Sequence, residues 1–440
     1  MKYRSTVGKS PEVSLEEAVV KGLAPDNGLY MPLSFPTLPK EFFDRLPEMS
    51  LPEMASEIAS ALFGEDIEKD ALEKLTKATL NFPIPLVKVN DNIYSLELFH
   101  GPTLAFKDVG ARFMARLLGY FNRDNTDRLV NVLVATSGDT GSAVANGFLG
   151  VDGVRVFVLY PKGKVSRIQE AQFTTLGKNI NALEIEGNFD DCQALVKKAF
   201  LDEELNQKMM LTSANSINVA RFLPQMFYYF HAYAQAVKAG AKPDEVVLCV
   251  PSGNFGNITA GLIAKRMGLP IKRFIAANNA NDIFLNYLNT GTYSPKKSVQ
   301  TIANAMDVGD PSNFVRILDL YDNSHEAISA EISGTSYSDA EISETLKTTF
   351  DKDGYLLDPH GAVAYRALAS MLKPQETGIF LETAHPAKFK ETVEKIIEKE
   401  VEVPERLNDF LKNEKKTSPL PADFETFKKH LLNSILFNYS

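Results

Sequence analysis

Apolar positions follow two different spacings along the chain. In the first 90 residues they recur every three or four positions, as over 51–62, and this spacing predicts helices. From residue 129 onward, short apolar and β-branched runs alternate with helix-like stretches. The runs predict strands over 129–135, 154–160, 181–186, 245–250 and 378–382. The stretches that follow them predict helices from residue 142 and over 166–176, 190–205, 258–267 and 389–399.

Strands that alternate with helices indicate an α/β fold, in which parallel sheets are covered by helices on both faces. Ligands of such folds bind beyond the carboxyl ends of the strands. The proline-rich stretch Phe82-Pro83-Ile84-Pro85 separates this region from the helical start of the chain. We therefore expect the functional residues in the turns that follow the predicted strands.

The composition is that of a globular, enzyme-sized chain. Its 440 residues are 44% hydrophobic and 23% charged, which excludes wholesale disorder and suggests about three domains. The net charge of −9 argues against nucleic acid or an anionic membrane as the main partner. No stretch approaches the ~18 apolar residues of a membrane span, and the first residues lack the apolar region of a secretory signal. With only Cys192 and Cys249 as cysteines, we expect a reduced, cytoplasmic protein.

A candidate nucleophile lies in the segment 100–108. A helix that begins near Thr103 is predicted by the apolar positions Phe106, Val109, Phe113 and Leu117. Lys107 would then lie in the first turn, where the helix dipole disfavours a cation. That field and partial burial would lower the pKa of the amine, and a neutral amine is what Schiff-base chemistry requires. A solvated surface lysine beside a capping aspartate is the alternative.

Two glycine-containing turns follow predicted strands. The first could accept an anion such as a carboxylate on its N–H groups and hydroxyls; it comprises Ser137, Gly138, Asp139, Thr140 and Gly141. The second lets the backbone approach a phosphate closely at a helix start; it comprises Gly253, Asn254, Phe255, Gly256 and Asn257. The second turn lacks the signatures of a nucleotide P-loop and of a dinucleotide-binding fold. An ordinary strand-to-helix turn is the alternative for both.

Two further groups of polar residues are candidates. A phosphate could be held by Asn215, Ser216, Asn218 and Arg221. The hydroxyl of Thr383 follows the last predicted strand and could face a ligand. A capped helix start and a simple turn are the respective alternatives. The six histidines show no metal-ligand spacing, so we predict no metal site.

Taken together, these segments resemble the threonine synthase family, which consists of pyridoxal-phosphate enzymes of fold type II. The matching segments 98–108, 135–141, 250–257 and 383–386 stand in the family's order. Residues 24–32 resemble a motif of the family's amino-terminal domain, with Asn27 where a glycine is usual. Asparagine tolerates a left-handed backbone, so this departure is acceptable. Residues 305–313 also look like the family, but their sequence suggests no physical role.

The resemblance implies a fold, a division into domains and a reaction. The fold would be α/β, with two parallel-sheet, three-layer domains and a mostly helical N-terminal domain. We expect the N-terminal domain over 1–90, a large cofactor-binding domain over 91–127 and 240–440, and a smaller α/β domain over 128–239. The reaction would be that of a lyase of threonine biosynthesis, converting O-phospho-L-homoserine and water to L-threonine and phosphate. The small molecule would be the only partner of a monomer.

The resemblance also implies residue roles. Lys107 would form the Schiff base with pyridoxal phosphate and move protons on the substrate. Thr383 would bond the pyridine nitrogen, and residues 253–257 would hold the cofactor phosphate. Asp139 would face the cofactor, although related enzymes usually have an amide there. Substrate contacts would come from Thr103, Ser137, Gly138, Thr140 and Gly141, and the leaving phosphate would be held by Asn215, Ser216, Asn218 and Arg221.

Three other functions remain open from the sequence. A phospho-lyase or dehydratase that releases a 2-oxo acid and ammonia would share the fold and the cofactor. A serine hydrolase built on Ser137, His385 and an aspartate would need no chromophore. A cofactor-free binding or scaffold protein would have no use for Lys107 or for the turn 253–257.

Overall fold

The computed structural model describes residues 1–123 and 129–436, which form three sheets with helices packed around them. The strands are β1 (Tyr3–Ser5), β2 (Tyr30–Pro32), β3 (Leu86–Lys88), β4 (Ile93–Glu97), β5 (Val130–Ala135), β6 (Val154–Pro161), β7 (Ile180–Glu186), β8 (Met210–Ser213), β9 (Val246–Pro251), β10 (Arg273–Asn278), β11 (Ile332–Ser336), β12 (Thr377–Glu382) and β13 (Ser418–Pro421).

The helices surround these sheets. They are α1 (Leu15–Lys21), α2 (Lys40–Arg45), α3 (Leu51–Phe63), α4 (Lys69–Thr79), α5 (Lys107–Asn122), α6 (Asp139–Phe148), α7 (Arg167–Thr174), α8 (Phe189–Leu201), α9 (Glu203–Lys208), α10 (Val219–Phe222), α11 (Met226–Lys238), α12 (Gly256–Arg266), α13 (Ile283–Thr290), α14 (Phe314–Leu320), α15 (His325–Glu331), α16 (Asp339–Asp353), α17 (Pro359–Met371), α18 (Lys390–Ile397), α19 (Glu405–Leu411) and α20 (Phe424–Leu436). Short 3₁₀ helices lie at Leu46–Glu48, Leu223–Gln225, Pro243–Glu245, Asn304–Met306 and Pro386–Phe389.

The largest sheet has six strands in the order β11-β10-β9-β12-β4-β3, and all of its pairs are parallel except β3 with β4. The second sheet has five parallel strands in the order β13-β7-β6-β5-β8. The third is the antiparallel pair of β1 and β2.

Both large sheets are buried on both faces. Along β9, Val246, Leu248 and Val250 join one apolar core, whereas Val247 and Cys249 join another on the opposite face. Because side chains of a strand alternate between the faces, this division shows that helices cover each side. The continuous apolar run of β9 is therefore the sequence signature of a buried parallel strand.

The five predicted strands are confirmed to within a residue at each end, and the helix predicted over 51–62 is confirmed as α3. Other helices differ at their starts. The helix predicted from Thr103 begins at Lys107, because the Thr103 N–H and hydroxyl both bind Asp108 and hold the preceding residues in a turn. The helix predicted over 190–205 is two helices, α8 and α9, because Asp202 accepts the Leu205 N–H and starts a second helix.

The order of the strands brings the candidate turns together. Strand β12 lies between β4 and β9 and runs parallel to both, so the carboxyl ends of the three strands lie at one edge. Lys107 follows β4, Thr383 follows β12, and the turn 252–255 follows β9. This edge is where ligands of open parallel sheets bind.

The division into domains remains a prediction. Its boundary between residues 127 and 128 lies outside the described residues. Strand β13, which that division assigns to the large domain, pairs with β7 in the five-stranded sheet. Within the described ranges, none of the helices has both the length and the apolar character needed to cross a membrane.

Candidate active site

The loop that carries Lys107 runs beside the segment after β12. The Leu98 N–H donates to the Glu382 carbonyl at 2.9 Å, and the Phe106 N–H donates to the Thr383 carbonyl at 2.8 Å. Ala105 and Ala384 form an isolated antiparallel bridge between these two stretches. Two segments far apart in sequence are therefore held side by side, with Lys107 and Thr383 next to them.

Lys107 is the first residue of α5 and is half-buried. Loss of solvation lowers the pKa of its amine to about 8; Asp139 opposes this shift, whereas Arg221 and Lys388 add to it. The lowered pKa expected from the sequence is thus confirmed in direction. An amine with this pKa is substantially neutral slightly above neutral pH, which is the form that attacks a carbonyl carbon.

The turn after β5 is shaped by Thr136. Its Oγ1 accepts the N–H groups of Gly138 and Gly141 at 2.9 and 2.8 Å. Gly138 has a φ of 147°, and a Cβ there would lie within 2.7 Å of the Gln169 side chain, so only glycine fits. Among the described residues, the hydroxyls of Ser137 and Thr140 have no hydrogen-bond partner, so they remain available to a ligand.

Asp139 is buried at the start of α6 and pairs with a lysine. Its Oδ1 lies 2.5 Å from Lys388 Nζ and accepts Gln169 Nε2 at 2.9 Å. Burial alone would raise the pKa of Asp139, but the charges of Lys388 and Lys107, with these hydrogen bonds, hold it at about 2. Asp139 is therefore an ionised carboxylate whose charge is compensated by the protein.

The turn after β9 ends in the start of α12. Phe255 adopts a left-handed backbone with a φ of 61° and leads directly into the helix. The first N–H groups of a helix have no partner within it, so those of Gly256 and Asn257 can face an anion. Asn257 accepts the Tyr229 hydroxyl at 2.8 Å through Oδ1, and within residues 1–123 and 129–436 its buried Nδ2 has no partner.

The segment 305–313 supports this turn. The Ser312 N–H donates to Asn254 Oδ1 at 2.6 Å, and Asn313 Nδ2 donates to the Asn254 carbonyl at 3.0 Å. A Cβ at Gly253 would lie 2.8 Å from Met306 Cα, so the two backbones are in contact. The structure thus gives this segment the role that its sequence did not suggest. The Asn254 side chain is engaged by the protein.

The four predicted phosphate ligands have different surroundings. Arg221 is buried, and its Nη1 donates to the Ala214 carbonyl, while its Nε has no partner in the part of the chain that the structure describes. Burial lowers the pKa of Arg221 to about 10, with Asp108 opposing the shift. Ser216 accepts Asn254 Nδ2 and Asn313 Nδ2, which leaves its O–H free to donate.

The other two, Asn215 and Asn218, are used by the protein. Asn218 caps α10 through Oδ1 and donates to the Val19 carbonyl at 2.9 Å, which ties α10 to α1. Asn215 donates to the Ala135 carbonyl at 3.2 Å. Thr103 is likewise committed, because its hydroxyl donates to Asp108 at 2.6 Å. The hydroxyl of Thr383, by contrast, has no partner in the described part of the chain.

The geometry does not support a serine hydrolase. His385 Nδ1 accepts the Ala387 N–H at 3.1 Å, and burial lowers the pKa of the ring to about 4. No hydrogen bond within the described ranges joins Ser137 to His385. Neither an activated hydroxyl nor a base of suitable pKa is therefore assembled there.

Sequence reasoning missed several residues that build this site. Lys388, Thr136, Asp108 and Asn313 all bind site residues directly. Even Lys388 gave no usable signal, since a lysine is normally exposed and is almost never fully buried unless it is paired. The partners of all four are set by long-range contacts that a single sequence does not reveal.

Comparison with known proteins shows the family of this chain. Family models match the chain from end to end: "threonine synthase N terminus" at residues 2–80, "pyridoxal-phosphate dependent enzyme" at 79–381, and "threonine synthase, C-terminal" at 361–431. Threonine synthase of Haemophilus influenzae is 48% identical over 97% of this chain and 99% of its own length.

Solved structures give the same result. The crystal structure of threonine synthase from Escherichia coli has a TM-score of 0.92 and 43% identity, and the match covers 99% of this chain and 100% of that one. Pyridoxal-phosphate-bound threonine synthase from Brucella melitensis has a TM-score of 0.91 and 37% identity over 98% of each chain. These likenesses confirm the predicted fold class. The chain belongs to the threonine synthase family of pyridoxal-phosphate-dependent enzymes.

Proposed function

We propose that this chain converts O-phospho-L-homoserine and water to L-threonine and phosphate. As a member of its family, it is a lyase that uses pyridoxal phosphate. The proposal rests on two groups that interact electrostatically: the Lys107 amine, whose pKa is lowered to about 8, and the buried Arg221, whose Nε has no partner among the described residues. The first suits an aldehyde cofactor, and the second suits a phosphorylated substrate.

The residues present fit the cofactor. The first N–H groups of α12 have no partner within the helix, and the buried Asn257 Nδ2 beside them has none among the residues described. Lys107 supplies an amine, and the unpartnered Thr383 hydroxyl follows the neighbouring strand. Residues 253–257 would hold the phosphate of the cofactor, Lys107 its aldehyde carbon and Thr383 its pyridine nitrogen. When bound, pyridoxal phosphate withdraws electrons from the α-carbon of an amino acid.

Lys107 is the residue that would move protons. Its amine has a pKa of about 8, which is close to neutral pH. It could therefore take a proton from the substrate Cα and deliver a proton to another carbon of the substrate. Thr383, as a neutral hydroxyl, would not hold the pyridine nitrogen protonated as a carboxylate would. Thr383 would thereby leave more electron density on the substrate carbons, which favours prompt loss of the phosphate.

Arg221 and Ser216 would bind the leaving phosphate. The buried Arg221 Nε is a donor without a partner in the described ranges, and the Ser216 hydroxyl retains its proton for donation. A Cβ at Gly256 would lie 3.4 Å from Ser216 Cβ, so this serine lies against the start of α12. Donors fixed in advance stabilise the negative charge that grows on the departing phosphate, and water excluded from a buried site strengthens each bond.

Ser137 and Thr140 would orient the substrate carboxylate. Their hydroxyls are unpartnered in the described contacts, and they stand on either side of Asp139. Because Asp139 is paired with Lys388, its charge would repel an incoming carboxylate less than a lone aspartate would.

The test is a product assay on the purified holoenzyme with O-phospho-L-homoserine. We expect L-threonine and phosphate in equal amounts. Release of 2-oxobutanoate and ammonia in place of threonine would instead support a dehydratase. The visible absorbance of the same preparation is recorded before and after borohydride treatment, which reduces a Schiff base. A preparation that makes threonine but shows no visible absorbance at the outset would contradict the proposed use of Lys107.

We further propose that the enzyme is a monomer in the cytoplasm. All of the proposed site residues come from one chain, which supports a monomer. Cys192 and Cys249 are buried and unpaired, which suits a reducing compartment. Light scattering of the purified holoenzyme measures the mass directly, and a dimer mass would contradict the first point.

A further inference from the structure

Lys388 joins three separate stretches of the site. Its side chain is fully buried, its Nζ lies 2.5 Å from Asp139 Oδ1, and it donates to the Thr103 carbonyl at 2.9 Å. The lysine itself follows Thr383 in the 3₁₀ turn Pro386–Phe389. It therefore connects the segment after β12, the loop before Lys107 and the start of α6.

Lys388 is the cation in direct contact with the Asp139 carboxylate, and the charge of Lys107 adds to the compensation. Asp139 accepts Gln169 Nε2 at 2.9 Å, but glutamine carries no charge. A buried carboxylate without a counter-ion is strongly disfavoured, so Lys388 is what allows an aspartate at this position. An uncharged amide side chain at position 139 would need no such counter-ion.

Charges reach Lys107 from several elements. Asp139 on α6 raises the pKa of its amine, whereas Arg221 on α10 and Lys388 lower it. Asp108 stands next to Lys107 on α5, but it is bound by the Thr103 N–H and hydroxyl at 2.9 and 2.6 Å. The Tyr228 hydroxyl of α11 donates to the Phe106 carbonyl just before Lys107. Among these groups, Asp139 and Lys388 have opposite effects on the pKa of Lys107 and form an ion pair with each other.

We propose that Lys388 is a positioning residue for Lys107: it binds Asp139 and the Thr103 carbonyl, so that the catalytic amine faces a neutral ion pair instead of a lone carboxylate. This inference rests on the proposed function of Lys107. Lys388 does not itself touch the reacting atoms in this scheme. It fixes the position and the charge of the groups around them.

Removal of each charge should have an opposite effect. In Lys388→Met, the uncompensated Asp139 carboxylate stabilises the charged amine, so the pKa of Lys107 rises. In Asp139→Asn, the remaining cation destabilises the charged amine, so the pKa of Lys107 falls. The double variant Asp139→Asn with Lys388→Met carries neither charge, so the pKa of Lys107 returns close to that of the unchanged protein.

The experiment measures Lys107 itself and requires no turnover. The full chain, freed of cofactor, is briefly acetylated with acetic anhydride across a pH series, and acetylation of Lys107 is quantified by peptide mass spectrometry. We expect the midpoint to rise by about one pH unit in Lys388→Met and to fall by about the same in Asp139→Asn. The matched control is Lys395→Met, an exposed lysine on the adjacent α18.

A second measurement uses the holoenzyme. The pH at which its visible absorbance changes should shift in the same directions in the same variants. If Lys388→Met does not fold, the proposal requires that the double variant does, because methionine and asparagine leave no charge to bury. Thermal unfolding measures this.

The outcomes separate the two proposals. The role of Lys388 would be overturned if the acetylation midpoint of Lys107 were the same in Lys388→Met as in Lys395→Met. It would also be overturned if the double variant were unfolded, or if its midpoint were no closer to that of the unchanged protein than the midpoints of the single variants. If the proposed function were wrong, the unchanged holoenzyme would make no threonine, whatever the acetylation midpoints are.

Discussion

Gly110 on α5 lies directly against the backbone of Arg221. A Cβ atom at position 110 would be 2.5 Å from the Arg221 carbonyl oxygen and 3.4 Å from its Nε. Gly110 is one helical turn beyond Lys107, so the absence of a side chain there lets α10 approach the helix that carries the amine. The arginine and the lysine are thereby held on the same side of the site.

Replacement of Arg221 should affect the substrate more than the cofactor. We expect Arg221→Ala to lower kcat/KM for O-phospho-L-homoserine by about 10²- to 10³-fold, because a fixed donor to the leaving phosphate is lost. The kcat/KM of Arg221→Lys should lie between those of Arg221→Ala and the unchanged enzyme, since lysine keeps the charge but not the planar pair of donors. Steady-state kinetics and the cofactor content of the purified variants measure both quantities.

The control for this experiment is Arg45→Ala, since Arg45 is largely exposed and pairs with Glu57 on the surface. Its kinetics should match those of the unchanged enzyme. If Arg221→Ala lost cofactor to the same extent as activity, the assignment of Arg221 to the substrate site would be contradicted.

Replacement of Lys107 should remove the chromophore and turnover together. In Lys107→Ala no amine remains to bind the aldehyde, so the visible absorbance of the cofactor bound to the protein should be lost. Lys297→Ala removes an exposed lysine and should change neither property. Absorption spectra and threonine formation are measured on the same preparations; normal turnover in Lys107→Ala would refute the assignment.

Gly253 should be intolerant of a side chain. In Gly253→Ala the new Cβ would lie 2.8 Å from Met306 Cα, so either the turn after β9 or the segment 305–313 must move. We expect weaker cofactor binding and a loss of about 1–3 kcal/mol in the free energy of unfolding. Urea unfolding and cofactor titration measure the two effects.

Gly119→Ala provides the matched control. A Cβ at Gly119 would lie at an ordinary 3.5 Å from Val151, and alanine is favoured over glycine within a helix. This variant should be as stable as the unchanged protein or more so. If the two alanine variants had the same free energy of unfolding and the same cofactor affinity, the close contact between Gly253 and Met306 would contribute to neither property.

Glu382 should make the stability of the apoprotein depend on pH. It is buried immediately before Thr383, and burial followed by the nearby Asp358 carboxylate raises its pKa well above the usual value. Above the pKa of an unfolded glutamate, the unfolded chain has released a proton that the folded chain retains. The free energy of unfolding therefore falls as pH rises through this window, by at most about 1.4 kcal/mol per pH unit.

Glu382→Gln removes that titration but keeps the shape of the side chain. Its unfolding free energy, measured in urea from about pH 5 to 8, should be flatter than that of the unchanged protein. Glu398→Gln, at an exposed glutamate, should retain the original slope. A slope that is the same in all three proteins would mean that Glu382 ionises as readily in the folded chain as in the unfolded one.

The sequence by itself predicted five of the strands, the turns that follow them and Lys107 as a candidate nucleophile. Continuous apolar runs such as β9 are readable because a strand buried on both faces is mostly apolar. Ser137, Gly253 and Thr383 are readable because each follows such a run, and parallel strands direct their carboxyl ends to one edge. Lys107 is readable from the apolar spacing of the helix that it begins, since strand β4 before it was not predicted.

Only the tertiary structure decided which polar atoms are free. Thr103 and Asn218 look like ligands in the sequence, yet Asp108 and the Val19 carbonyl use their polar groups. Lys388 meets Asp139 only after the segment following β12 packs against the start of α6. Hydrogen bonds and ion pairs extend over about 3 Å and join residues far apart along the chain, so no local spacing encodes them.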